Sequence, residues 1–167
     1  SDVCSAELVM IDCTSEPGAG SDVQSIITTA VRDGDEFVIN GHKWFSSSAE
    51  NAAFTIIMAV TDPAAHPHKR ASQIIASMES PGIELVRNIS VMGDPGTDYA
   101  SHAELRFTNV RVPVTNRIGA EGDGQFVRWH VLQRVGFGLF DEIQHCGDTL
   151  FYLVAAIQVA FERTVDR

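Results

Sequence analysis

Cysteine is scarce in this sequence: Cys4, Cys13 and Cys146 are odd in number and form no Cys-x-x-Cys unit. That pattern signals neither a disulfide framework nor a zinc site, and reduced thiols in an intracellular compartment are the simplest reading. No apolar run is long enough to span a bilayer; the longest, Leu150 to Phe161, is short and interrupted by Gln158. No basic-then-apolar leader opens the chain. Positive charge is short as well, with 12 basic residues against 22 acidic ones and a formal charge of -10. A phosphate backbone needs the opposite sign, so a nucleic-acid partner is disfavoured. The Gly18-x-Gly20 pair lacks the third glycine and the following helix of a dinucleotide fingerprint, which excludes a Rossmann reading.

What is present reads as an ordinary globular chain: 167 residues, 44% hydrophobic and 20% charged, enough for one domain with a real core. From residue 6 to about 112, β-branched and aromatic segments alternate with Gly, Pro, Asn and Asp. Strand patterns begin almost at once, over Ala6 to Ile11, so further sequence is expected upstream. The alternation from Gln24 to Val31 predicts a strand, Asp33-Gly34 a hairpin, and Asn40-Gly41 a second hairpin before Lys43-Trp44-Phe45. Ala53 to Thr61, Ser72 to Met78, Gly82 to Val86 and His102 to Val112 complete some seven or eight strands, the spacing of a sandwich or barrel. After Pro113 the character changes: Gly119 to Gly124 reads as a linker, and from Gln125 apolar residues recur at helical spacing. Leu150, Phe151, Leu153, Val154, Ile157, Val159 and Phe161 would cover nearly the whole circumference of a helix, which must be buried by neighbours. Missing helices, an oligomer, or both are therefore expected.

Two segments stand out as carriers of chemistry: Glu16-Pro17-Gly18-Ala19-Gly20-Ser21-Asp22-Val23 and Asn40-Gly41-His42-Lys43-Trp44-Phe45-Ser46-Ser47. Each joins a turn to an apolar strand pattern and carries small hydroxyl side chains, so both can present donors to a flat, polar ligand. Two later pieces follow in order, Val91-Met92-Gly93 and Phe107-Thr108-Asn109-Val110-Arg111-Val112-Pro113, and then Gly119-Ala120-Glu121-Gly122-Asp123-Gly124. In this order the pieces strongly resemble the middle β-domain of the acyl-CoA dehydrogenase family, over about residues 10–126. The resemblance implies a mainly β barrel or sandwich over residues 1–117, followed by a linker and partial C-terminal helical segment over 118–167.

It also implies FAD as cofactor and an acyl-CoA thioester as substrate. Cofactor contacts would fall on Cys13, Thr14 and Ser15 in the first segment, and on Phe45, Ser46 and Ser47 in the second. Thr14 and Ser15 match the family's donors to the pyrimidine edge of the flavin, where fixed donors favour the charge gained on reduction. Phe45 takes the place of the Trp that packs on the ring, and Ser47 that of the Thr that donates to N5. Trp44 becomes the relevant aromatic if the register slips by one, and the plain alternative is that Trp44 and Phe45 fill the core. Ser21 and Arg134 would face the acyl-CoA, with Lys69 and Arg70 as lesser candidates for its phosphates. The base that removes an α-proton must be a carboxylate, yet the matching helix position holds Gln133, so no catalytic base is identified.

His66-Pro67-His68 lacks a third ligand and reads as an exposed loop rather than a metal site. That loop and the Ser101 to Phe107 strand look closest to the family branch that handles bulky or hydroxylated acyl chains. Two other functions compete with a dehydrogenase: a non-catalytic barrel that serves assembly or binding, and a family oxidase. Family enzymes are usually homo-oligomers whose C-terminal helices help hold FAD, so weak FAD retention by this chain is expected. The electron acceptor is not identified by these residues.

Overall fold

In the computed structural model, residues 9–97 and 101–125 are described. They form a single sheet of eight strands: β1 (Val9–Cys13), β2 (Thr29–Asp33), β3 (Glu36–Ser47), β4 (Ala52–Val60), β5 (Ala71–Ser77), β6 (Ile83–Asn88), β7 (His102–Pro113) and β8 (Arg117–Ile118). The order across the sheet is β6-β7-β3-β2-β4-β5-β8, with β1 also paired to β4. β1 and β2 both run parallel to β4, the former against its first part and the latter only through Thr29 and Val60. The chain between them, which carries the first motif, leaves the sheet at this gap. The expected mainly β architecture is thus observed, and the helical segment expected after residue 118 lies almost wholly outside the described residues.

One core gathers side chains from six strands, including Ile11, Phe37, Ile39, Ile57, Ile74, Leu105, Phe107 and Val110. A flat sheet cannot bring these together, so the sheet curls around them. β4 is buried on both faces from Phe54 to Val60, in keeping with its nearly continuous apolar run, which only Thr55 interrupts. Ile57 and Ala59 enter the main core, while Met58 and Val60 pack with Ala19, Ile26 and Ala71 in a second cluster.

Two expectations about local structure need correction. Asn40-Gly41 is not a hairpin turn; β3 continues through it, and the register against β7 merely shifts between Ile39 and Gly41. The Asn40 side chain accepts from the Asn109 backbone N–H and donates to the Asn109 side chain, which makes an asparagine-clasped irregularity on both strands. Gly41 is needed for close approach: a Cβ there would lie 2.2 Å from Thr28 Oγ1. The second correction concerns Gln24 to Val31, where Val23–Ser25 forms a short 3-10 turn and the strand starts only at Thr29. Asp22 caps that turn by accepting from the Gln24 N–H, a local bond that outcompetes extension.

Candidate functional site

The first motif and the second are fastened together by a buried lysine. Lys43 projects inward from β3, where its ammonium donates to the Thr14 carbonyl at 3.2 Å and to Glu16 Oε1 at 2.9 Å. Glu16 in turn accepts from the backbone N–H groups of Ile27 at 2.7 Å and Thr28 at 3.0 Å. Its own N–H and carbonyl pair with those of Ala19 to close the Pro17-Gly18 turn. Burial opposes ionisation of Glu16, but the Lys43 charge and these donors outweigh it and hold the carboxyl below its ordinary range. A further link, Trp44 N–H to the Ser15 carbonyl at 2.9 Å, lays the end of β1 alongside β3.

Within β3 the pairing with β7 shifts again between Lys43 and Ser46. Lys43 and Ser46 both point inward, so the two residues between them are displaced to the outer face. Phe45 there adopts φ 56°, a left-handed conformation that is costly for a bulky side chain, and remains 47% exposed. Its ring lies edge-on to Trp44 at 5.8 Å and tilted to His102 at 6.2 Å. Ser47 also faces outward, its hydroxyl 2.8 Å from His102 Nδ1. An exposed aromatic beside an outward hydroxyl can offer a stacking surface and a polar contact to a flat aromatic ligand.

A charged cluster flanks these aromatic rings on the same face. Glu104 on β7 receives Arg87 Nε at 2.7 Å and His42 Nε2 at 2.8 Å. The Arg87 hydrogen bond, with help from His42, holds the Glu104 carboxyl below its ordinary range. The Arg87 guanidinium stands 5.9 Å over the Trp44 ring, which also meets His42 edge-on. Trp44 is therefore clamped, half-buried, next to the more exposed Phe45. Neither aromatic belongs to the hydrophobic core.

The structure brings all six residues expected at a cofactor around the joined ends of β1 and β3, with their side chains disposed differently. Phe45 and Ser47 present side chains outward. Cys13 and Ser46 instead turn into the core and meet each other, Sγ to Oγ 3.1 Å, with Thr55 donating to the same sulfur. Any contact they make with a ligand is through backbone groups. Thr14 is buried and donates its hydroxyl to Asp12, while its neighbour Ser15 is half-buried and has its carbonyl engaged by the Trp44 N–H. Ser21 is exposed on the loop before the 3-10 turn.

Arg134 and Gln133 lie outside the described residues. Lys69 pairs with Asp123, and Arg70 donates to the carbonyls of Gln24 and Ile26, so both candidate phosphate contacts are engaged within the fold. His66 and His68 stack at 5.3 Å, and no group of three metal-ligating side chains occurs among the described residues. No helix among those residues is long and apolar enough to cross a membrane.

Lys43, Glu16 and His102 were not singled out by their sequence context. A lysine in a strand normally reads as solvated, and only its coincidence with Glu16 in the other motif hints at a pair.

The family model for "Acyl-CoA dehydrogenase, middle domain" matches residues 13–110. Over 166 residues the chain is 35% identical to mouse (Mus musculus) acyl-CoA dehydrogenase family member 11, covering 96% of this chain and 20% of that protein. It is 36% identical over 156 residues to the probable acyl-CoA dehydrogenase FadE2 of Mycobacterium tuberculosis, covering 92% of this chain and 36% of that one. The crystal structure of an acyl-CoA dehydrogenase from Geobacillus kaustophilus superposes with a TM-score of 0.69 at 35% identity, over 77% of this chain and 33% of the other. The chain thus spans between a fifth and about a third of the length of these relatives. With its two site-bearing motifs inside the matched span, the chain belongs to the acyl-CoA dehydrogenase family and carries that family's middle domain.

Proposed function

We propose that this chain is the flavin-facing β-domain of an FAD-dependent acyl-CoA dehydrogenase. The observation that carries the reading is the fastening of Thr14 to Glu16 against Lys43 to Ser47, which leaves Phe45 and Ser47 facing outward side by side. These groups suit a flavin: an aromatic surface for the ring, a hydroxyl beside it, and backbone groups of Cys13 to Ser15 at the adjoining strand end. When bound, FAD would supply the two-electron acceptor for hydride from the acyl β-carbon. Ser47 would orient the ring by hydrogen bonding at N5, and Phe45 would exclude water from one of its faces. Ser21 and Arg134 are proposed contacts of the acyl-CoA. No carboxylate among the described residues is assigned to the α-proton, so turnover is proposed for the longer protein and binding for this chain.

FAD titrated into the purified chain and followed by visible absorption tests this reading. Saturable binding that is weakened in Phe45→Ala and Ser47→Ala, and lost on desalting, is expected. Binding equally strong in both variants would refute the assignment, and a folded chain that never binds FAD would favour a non-catalytic assembly or binding module.

A further inference from the structure

Ser47 and His102 are direct partners in the β3–β7 pairing, and the Ser47 hydroxyl lies 2.8 Å from His102 Nδ1. The backbone on both sides of this contact is tied down. The His102 carbonyl accepts from the Ile89 N–H at 2.7 Å, and the Ser101 carbonyl from the Ser48 N–H at 2.9 Å. The imidazole is further placed by its ring contact with Phe45. We propose that His102 is a positioning residue that sets the direction in which Ser47 points its hydroxyl proton, an inference that rests on Ser47 facing flavin N5.

A serine hydroxyl holds one proton, so it can donate to only one of two partners at a time. Against an oxidised ring, whose N5 is an acceptor, Ser47 must donate to N5 and therefore takes a hydrogen bond from His102 Nδ1–H. Against a reduced ring, whose N5 carries hydrogen, Ser47 must accept from N5–H and therefore gives its own proton to a bare His102 Nδ1. Imidazole can fill both roles by exchanging tautomers, which an ammonium or an ionised carboxylate cannot do. The exchange releases one proton from Nδ1 and takes one up at Nε2, so it consumes no net proton and no electron.

Nitrogen NMR of the chain saturated with FAD labelled with 15N at N5 tests the proposal. His102→Phe keeps a ring against Phe45 but removes the hydrogen bond, whereas His102→Gln restores a group that either donates or accepts. His102→Phe is expected to displace the N5 resonance in the same direction as Ser47→Ala, and His102→Gln to return it toward wild type. FAD affinity in His102→Phe should fall by no more than about tenfold, the scale of one net hydrogen bond. In the flavin-free chain, Ser47→Ala should shift the His102 Nδ1 resonance. An unmoved N5 resonance in His102→Phe, where Ser47→Ala moves it, overturns the proposal and leaves the flavin reading standing. An N5 resonance that Ser47→Ala also leaves unmoved, or no bound flavin at saturating FAD, overturns both.

Discussion

Lys43 Nζ and Glu16 Oε1 lie 2.9 Å apart with both side chains closed to solvent, a contact that ties the two sequence motifs to each other. Removing either partner strands the other as a buried charge. Lys43→Met should cost roughly 3–5 kcal/mol in a denaturant titration, and Lys43→Met combined with Glu16→Gln should recover part of that loss. A single variant that loses less than about 1 kcal/mol would show the pair to be dispensable.

Acid should weaken the fold through the same pair. The folded-state value of Glu16 lies below the unfolded one, so the folded chain binds its proton less readily. The stabilisation is therefore complete above the unfolded glutamate value of about 4.3 and is lost as pH falls through the lower folded value. Denaturation midpoints measured across this range should drop on acidification, and Glu16→Gln, though less stable at neutral pH, should show a shallower slope.

Gly41→Ala places a methyl group against Thr28, whose Oγ1, Cβ and Cγ2 would all lie within 2.5 Å. Thr28 cannot easily retreat, because its N–H is held by Glu16 and its carbonyl by the Val60 N–H. A loss of roughly 1–3 kcal/mol by thermal or chemical denaturation is expected. Thr28→Ala should relieve it only in part, since the threonine Cβ itself is among the clashing atoms.

Phe45 offers a test of strain kept for binding. Its φ of 56° suits glycine and penalises any Cβ-bearing residue. Phe45→Gly should be more stable than Phe45→Ala by about 1 kcal/mol in thermal melts, while both lose affinity for FAD. Equal stability would mean that the bulge relaxes once the ring is gone.

Cys13 should resist thiol reagents in the folded chain. Burial pushes its thiol up, against the opposing hydrogen bonds of Ser46 and Thr55. Alkylation localised by mass spectrometry should therefore reach Cys13 only in denaturant.

The sheet was largely legible because its strands announce themselves in residue type: the apolar run of β4 and the turn at Asp33-Gly34 both reappear. Asn40-Gly41 misled for a physical reason. The same pair that favours a tight turn also suits a clasped irregularity, and only the partner Asn109, distant in sequence, decides between them. Around the candidate site, Phe45 and Ser47 were readable from the motif, but their orientation was not. A strict alternation from Lys43 would send Phe45 inward with it; the bulge reverses that, and bulges depend on the facing strand. His102 and Glu104 escaped notice because their partners sit on β3 and β6, across the sheet rather than along the chain.

The Ser47–His102 contact joins positions 55 residues apart. Chain closure over such a span is paid for in entropy before the pairing rewards it, so β3 and β7 are expected to meet slowly, on the scale of milliseconds to seconds. The outward hydroxyl and its imidazole partner therefore come into being only with the finished sheet. A ligand that recognises them binds the native state alone and shifts the folding equilibrium by mass action. The supply of such a ligand would then govern how much of this domain survives proteolysis.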